Sequence, residues 1–213
     1  MTDHIVKAYD RELGTLGQRI AEMGGIAEQM LSDAMEALGA LNADLARHVV
    51  SVDPRLDTLQ RAVEDDAILT IARRQPLAVD LRECVAAIRI SGDLERVGDL
   101  AKNIAKRTVK IAAEARMPRA IVGLRSMHEY AAMQLKDVLD AYAQRNVEQA
   151  RAVWTRDAEL DALEDSVFRL PNGTERGGRD LRALVEDARA IRGVLNGLHS
   201  RYDRRAVEQA ALA

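Results

Sequence analysis

Apolar side chains recur along the first half of the chain at intervals of three, four and seven residues, which is the spacing of one face of an α-helix. Three such stripes follow one another, over residues 5–41, 45–71 and about 79–111. The sequence LNAD at 41–44 is typical of a turn, and Pro76 ends the second stripe. Three long helices with short connections predict an antiparallel three-helix bundle.

The pattern then restarts. It predicts a fourth helix over 119–145, a fifth that runs to about 170 and a last helix from about 181 to 202. The segment NADLARHVVSVDPRLDTLQRAV (42–63) aligns with NVEQARAVWTRDAELDALEDSV (146–167) at an offset of 104 residues. An internal repeat of this length indicates a duplicated unit. We therefore predict an all-α fold of two tandem three-helix bundles, similar to spectrin repeats: a first copy over 1–115 and a second copy over 118–213.

Composition supports helices and excludes several classes of protein. The 213 residues are 47% hydrophobic but only 3% aromatic, and they include four prolines, so long helices can run unbroken. A net charge of −3 argues against nucleic-acid binding, which needs a strongly basic surface. The chain has no apolar run long enough to span a membrane, and no signal peptide is recognisable. The single cysteine, Cys84, is expected to be a small buried apolar side chain in a reducing cytosol.

Two pairs of carboxylates stand out on neighbouring predicted helices. Asp53 and Asp57 lie four residues apart on the second helix, and Glu95 and Asp99 have the same spacing on the third. Residues four apart share one face of a helix, so the two columns can meet across the bundle. Four crowded anions require a neutralising cation. Hard oxygen ligands suit iron, manganese, magnesium or calcium, and the motifs contain no histidine for a tetrahedral zinc site.

The repeat carries the same spacing into the second copy, where Asp157 and Asp161 align with the first pair. Two ordinary interpretations stay open beside a metal site. The carboxylates can form a solvated helix face whose charges are paired with Arg96, Arg47 or Lys102. Asp53 can also cap a helix that begins at Pro54, since Asp before Pro is a helix-start signal.

Four stretches of the chain closely resemble the PhoU family: YDREL at 9–13, EMGGIAEQML at 22–31, ARRQPLAVDLR at 72–82 and DLERVGDLAKNIAKR at 93–107. The resemblance covers about residues 3–170 and implies two three-helix bundles in tandem. It also implies that Glu/Asp-x-x-x-Asp motifs hold multinuclear metal clusters, often of iron or zinc, with manganese or magnesium as alternatives. The residues that this role falls on are Asp53, Asp57, Glu95, Asp99, Asp157 and Asp161.

The last segment departs from the family pattern. Members of the family repeat the element LERxGDHAxNIA on the sixth helix, whereas residues 171–213 of this chain are atypical and Arg-rich. Counting from the shared DLR, Leu195 and His199 take the places of Glu95 and Asp99. The second copy is therefore expected to lack half of its metal ligands. A divergent member, a disrupted reading frame and an altered terminus all remain open as explanations.

The resemblance implies a regulator rather than an enzyme. PhoU-like proteins act when phosphate is plentiful, as negative regulators of the phosphate regulon and of phosphate uptake. The expected partners are the ATPase of the phosphate-specific ABC transporter, its sensor histidine kinase and a second copy of the chain. The expected location is the cytoplasm, at the inner membrane through those partners. Two alternatives remain: a metal-cluster enzyme, although the four histidines form no Glu-x-x-His pairs, and a metal-free structural helical adaptor.

Overall fold

Long helices make up most of the part of the chain that the computed structural model describes, which is residues 2–76, 78–113, 121–144, 146, 148–149, 182–187, 189–195 and 197–198. The described residues include four long helices, α1 (Thr2–Ala40), α2 (Ala43–Arg74), α3 (Ala78–Ala113) and α4 (Ile121–Gln144). The described residues between 182 and 198 are helical as well, and none of the residues in these ranges forms a strand. The prediction of an all-α helical-bundle fold is confirmed.

The turn between α1 and α2 is built by an asparagine cap. Leu41 adopts a φ of 50°, and Asn42 follows in an extended conformation. The Asn42 Oδ1 atom accepts hydrogen bonds from the backbone N–H groups of Asp44 and Leu45, both at 3.1 Å. These two groups have no partner inside the helix, so the cap stabilises the start of α2. The predicted turn at 41–44 is confirmed.

The same hydrogen bonds recur 104 residues later, at the end of α4. The backbone N–H of Asn42 donates to the carbonyl of Ala37 at 2.8 Å, and that of Asn146 donates to Ala141 at 2.9 Å. The Asn146 side chain accepts from the N–H of Gln149 at 3.1 Å, as Asn42 does in its own turn. The repeat read from the sequence thus extends to the geometry of the two turns. The proposed domain bounds, 1–115 and 118–213, stay a prediction.

Helix α1 packs against α2, α3 and α4. Its core stripe is buried, with Leu16, Ile20 and Met23 each no more than 1% exposed. The two consecutive glycines at 24 and 25 do not interrupt the helix. Gly24 faces α4, and a Cβ atom there would lie only 2.7 Å from Leu139 Cδ1. Gly24 therefore allows close contact between α1 and the first helix after the repeat boundary.

The core positions of α2 differ from the predicted stripe near its end. Ile68 lies within the predicted apolar stripe over residues 45–71, but it is 58% exposed. Val63, Ala67 and Thr70 are buried instead. Five residues beyond Val63, a side chain has turned about 140° away from it, whereas positions 67 and 70 stay on the same face. Cys84 on α3 is fully buried, as expected.

The C-terminal part also packs into the bundle. Leu184, Ile191 and Leu195 are fully buried and belong to the same apolar core as α1, α2 and α3. Arg107 on α3 donates from Nε to Asp187 Oδ2 at 3.0 Å. This hydrogen bond joins the described helical residues of the C-terminal segment to α3. This packing favours a divergent but folded helix over random sequence. In the described part of the chain, no helix has both the length and the apolar content that a membrane span requires.

Candidate metal centre

One carboxylate column, Asp53 and Asp57, lies on α2, and the other, Glu95 and Asp99, lies on α3. The two helices make a close contact. At the contact, Leu56 of α2 is fully buried against Gly98 of α3. A Cβ atom on Gly98 would overlap the end of the Leu56 side chain and would lie 3.6 Å from the sulfur of Met30 on α1. Only a residue without a side chain permits this approach. Helical periodicity does not indicate this role, although the glycine lies within the motif LERVGD.

Asp53, the deepest of the four carboxylates, forms an ion pair with a lysine. Asp53 is 7% exposed, whereas Asp57, Glu95 and Asp99 are partly exposed. The Lys102 ammonium lies 2.7 Å from Asp53 Oδ2 and also donates to Asp99 Oδ1. One cation on α3 therefore joins a carboxylate of α2 to a carboxylate of its own helix. Lys102 thus connects the two columns, and the assignment of the four carboxylates as metal ligands stays a prediction.

The charged groups of the cluster lie close enough together to change one another's pKa. Burial raises the pKa of Glu95, and the negative charges of Asp99 and Asp57 raise it further, with a hydrogen bond to Asp99 adding to the effect. The positive charge of Lys102 acts in the opposite direction. Burial lowers the pKa of Lys102, but hydrogen bonds and charge attraction from Asp53 and Asp99 outweigh it, so the pKa is raised. Lys102 is therefore charged at physiological pH.

The types of these side chains suit a metal cation, but their described arrangement does not form a metal site. Four carboxylates supply the hard oxygen ligands that iron, manganese and magnesium accept, and Lys102 stands where a cation is needed. Within the described ranges, no three carboxylate, thiol or imidazole side chains are arranged to hold one ion directly. Lys102 contacts two of the four candidate ligands, Asp53 and Asp99.

The structure separates the ordinary interpretations of the acidic motif. Helix α2 begins after Asn42 and continues through Pro54, so the interpretation of Asp53 as a helix cap is wrong. Arg47 pairs with Asp44 at 2.5 Å, and Arg96 is exposed. Lys102 is the one of the three suggested cations that contacts the cluster.

The candidate ligands of the second copy, Asp157 and Asp161, lie outside the described residues, as does His199. Leu195 is fully buried in the core, so the position that corresponds to Glu95 supplies packing and no oxygen ligand. The assignment of a metal site to the second copy therefore stays a prediction, with at least one of its four positions apolar.

Replacing Gly98 with alanine is expected to destabilise the protein by about 1–3 kcal/mol, because the added methyl group overpacks the buried Leu56. This packing loss should exceed the gain of about 1 kcal/mol that alanine brings to a helix interior relative to glycine, so the net effect should be destabilising. Gly92→Ala is the matched control, since a Cβ there meets no atom within 4 Å, and it should stabilise α3 slightly. Urea denaturation of both variants measures the difference, and a Gly98→Ala protein as stable as Gly92→Ala would contradict the packing argument.

Comparisons with known proteins identify the family. The PhoU domain matches residues 20–108 and 124–205, two segments that begin 104 residues apart. A phosphate-specific transport system accessory protein PhoU homolog from Rhizobium meliloti (strain 1021) is 50% identical over 167 residues, covering 78% of this chain and 70% of the relative. The PhoU accessory protein of Edwardsiella tarda is 31% identical over 198 residues, covering 93% of this chain and 77% of the relative.

A solved structure shows the same fold. The crystal structure of PhoU from Pseudomonas aeruginosa superimposes with a TM-score of 0.79 at 26% identity and covers 94% of this chain and 96% of that one. The likeness therefore extends over nearly the whole of both chains. Together with the two domain matches and the relative at 50% identity, this shows that the chain belongs to the PhoU family.

Proposed function

We propose that this chain is a negative regulator of the phosphate regulon and of phosphate uptake. The observation that carries the proposal is the match of both repeat units to the PhoU domain, together with 50% identity to an accessory protein of the phosphate-specific transport system. The chain acts as an adaptor between the transporter ATPase and the sensor histidine kinase. It works in the cytoplasm, next to the inner membrane through these partners, and forms a homodimer. It is not an enzyme.

The architecture suits an adaptor. Helices of 24 to 39 residues present long continuous faces, and partner helices can pack along such faces. The buried stripes hold the bundle together, which leaves the opposite faces for contacts with other proteins. To act as a switch, the adaptor needs to bind one state of the kinase more tightly than the other. Preferential binding to the phosphatase-competent state keeps the regulon off while phosphate is plentiful.

We propose also that the first copy binds a metal cluster, with iron or zinc as the first candidates and manganese or magnesium as alternatives. Asp53, Asp57, Glu95 and Asp99 would hold the cluster. The support is the grouping of four carboxylates across α2 and α3, together with the positive charge that already lies among them. The cluster would neutralise this face of the bundle and fix its shape for a partner. In this proposal the cluster has a structural role and takes part in no reaction.

A metal-free structural adaptor is the second candidate, and one observation favours it. The ammonium of Lys102 contacts Asp53 and Asp99 and gives the acidic cluster a counter-charge without a metal. In that case the regulatory role would be the same, but Lys102 instead of a metal would neutralise the carboxylates. Elemental analysis of the purified protein after reconstitution with iron, zinc or manganese distinguishes the two candidates.

Deleting the gene for this chain is expected to raise expression from a phosphate-regulon promoter in high phosphate, because the kinase loses the adaptor that holds it in its phosphatase state. A promoter fusion measured in high and low phosphate tests this. Expression in high phosphate should approach the starved level in the deletion strain and return to the repressed level on complementation. An unchanged reporter, in a strain without a second PhoU gene, would contradict the regulatory role.

A pull-down from phosphate-replete cells tests the partners separately. The transporter ATPase and the sensor kinase are the expected co-purifying proteins. Capture of neither, by a tagged chain that still complements the deletion, would show that regulation proceeds without stable contacts to them.

A further inference from the structure

Large apolar side chains are exposed at the end of the bundle where α2 turns into α3. Ile68 and Leu69, in the last two turns of α2, are 58% and 45% exposed, and Leu81, in the first turn of α3, is 38% exposed. We call these three side chains the apolar tip. In the described part of the chain, the one other large apolar side chain with comparable exposure is Met133 of α4. Exposed apolar surface is therefore concentrated at this end of the molecule.

The core at the same end is made of small or polar side chains. Ala67 and Cys84 are fully buried, and Thr70 is 4% exposed. Ile68 and Leu69 thus stand in solvent while their smaller neighbours fill the core. Burial of large aliphatic side chains is favourable, so the packing of this chain does not explain why these two are outside. Grouped apolar side chains on a surface are typical of a contact with a protein or a membrane.

The packing of α2 against α3 brings the members of the apolar tip to one level. The two helices are joined by a short turn and contact each other along their length, and Leu56 of α2 lies against Gly98 of α3. Counting equal distances from that contact along the antiparallel pair puts Leu81 level with the last turn of α2. Ile68 and Leu69 lie little more than one turn away, about 6–8 Å along the helix axis.

The two helices also present the tip on one side of the hairpin. Ile68 follows Asp57 by about three turns, and Leu81 precedes Glu95 by about four turns, so each lies close to the helix face of that carboxylate. The charge of Asp57 acts on Glu95, which shows that these faces border each other. The tip is therefore a single patch at the end of the α2–α3 hairpin.

The exposed charges beside the apolar tip are positive. Arg73 lies in the last turn of α2, Arg82 follows Leu81 on α3, and both arginines are exposed. In the described part of residues 66–82, no exposed side chain is a carboxylate. The exposed Asp65 lies about one turn further from the end of the hairpin. Aliphatic side chains bordered by arginines complement a surface that combines acyl chains with anionic headgroups.

We propose that the apolar tip binds the surface of an anionic lipid bilayer, with its three aliphatic side chains at the acyl boundary and with Arg73 and Arg82 at the headgroup phosphates. The choice of a bilayer over a protein as the occupant rests on the location beside the inner membrane that is proposed above. The contact is interfacial: the helices stay in water and only the tip enters the headgroup layer. It holds the adaptor at the membrane independently of its protein partners, with the α2–α3 end towards the lipid.

Flotation of the purified full chain with lipid vesicles is the test. Vesicles of equal parts phosphatidylcholine and phosphatidylglycerol are the anionic probe, and phosphatidylcholine vesicles are the neutral one. Ile68→Ser combined with Leu81→Ser removes most of the tip and should leave the fold intact, because both side chains are exposed. Met133→Ser is the control, since it removes an exposed apolar side chain elsewhere. The partition coefficient for anionic vesicles should fall at least about tenfold in the double variant and stay unchanged in the control.

A second pair of variants tests the charge. Arg73→Gln should weaken binding to anionic vesicles by about fivefold, because a basic residue next to an anionic surface contributes about that factor. Arg96→Gln removes an exposed arginine of α3 away from the tip and should have no effect. Added salt should weaken the binding of the unmodified protein, since it screens the arginines. Equal binding to neutral and anionic vesicles would overturn the proposed headgroup contacts.

Failure of the unmodified chain to float with anionic vesicles would overturn the proposal, and so would equal flotation of the double variant with an unchanged circular dichroism spectrum. If the unmodified chain does not float and the double variant loses the kinase or the ATPase in the pull-down, the tip is a protein interface and the bilayer is excluded. The vesicles contain no partner protein. A negative flotation result therefore leaves the promoter-fusion test of the regulatory role unaffected.

Discussion

Replacing Arg107 with methionine is expected to lower the free energy of unfolding by about 3 kcal/mol at neutral pH, because it leaves the carboxylate of Asp187 buried without its cation. Asp187 is 7% exposed, and its Oδ2 atom lies 3.0 Å from Arg107 Nε. A charged group in such a site is costly unless it is paired. Urea denaturation followed by circular dichroism measures the loss.

The pH dependence has a definite sign. Burial raises the pKa of Asp187, and the effect of burial is larger than the opposing effect of Arg107. A carboxyl group whose pKa is higher in the folded state binds its proton more tightly there, so stability falls as pH rises through the interval between the unfolded and folded pKa values. Loss of Arg107 raises the folded pKa further. The deficit of Arg107→Met should therefore be smaller at about pH 5 than at about pH 7.5.

Two further variants test whether the loss of stability comes from the buried ion pair. Arg107→Met combined with Asp187→Leu should recover most of the lost stability, since a buried ion pair can be replaced by apolar side chains at little cost. Arg55→Met is the control for an exposed pair: Arg55 lies 2.7 Å from Glu22, but both side chains are largely in solvent. Its loss should be less than about 1 kcal/mol. Equal losses in Arg107→Met and Arg55→Met would show that the C-terminal helix does not dock as described.

Loss of metal binding is the second large effect. Replacing Glu95 and Asp99 together with alanine should reduce the affinity of the first copy for metal by more than about 100-fold, since two of four oxygen ligands are removed. The helices should stay folded, because both side chains are partly exposed and flank the buried Leu94. Calorimetric titration with Mn²⁺ and elemental analysis after reconstitution measure the effect, and circular dichroism checks the fold.

The control for this experiment is Asp65→Ala, which removes an exposed carboxylate from α2 outside the cluster. Its metal content should equal that of the unmodified protein. If the double variant retains its metal, the ligands lie elsewhere in the chain. A metal-free unmodified protein after reconstitution with iron, zinc and manganese would favour the adaptor whose acidic cluster is neutralised by Lys102 alone.

The sequence by itself determined the helices and their repetition. Helical periodicity is a local property, so the core face of α3 from Leu94 onward could be read directly, and Leu94, Val97 and Ile104 are fully buried. The capping residues Asn42 and Asn146 also act within their own turns, which is why the same hydrogen bonds are found at both ends of the repeat offset. The spacing of the carboxylates placed each pair on one helix face for the same reason.

Only the tertiary structure decided which groups meet between helices. The ion pairs of Lys102 with Asp53 and of Arg107 with Asp187 join residues 49 and 80 positions apart, and helical periodicity does not specify which residues face each other across a bundle. The sequence suggested Arg96, Arg47 and Lys102 equally as partners for the carboxylates. Gly98 brings α2 and α3 into contact at Leu56, and the Lys102 ammonium reaches Asp53 across the same two helices. Charge pairing across a bundle depends on helix separation and rotation, which arise from packing of the whole core.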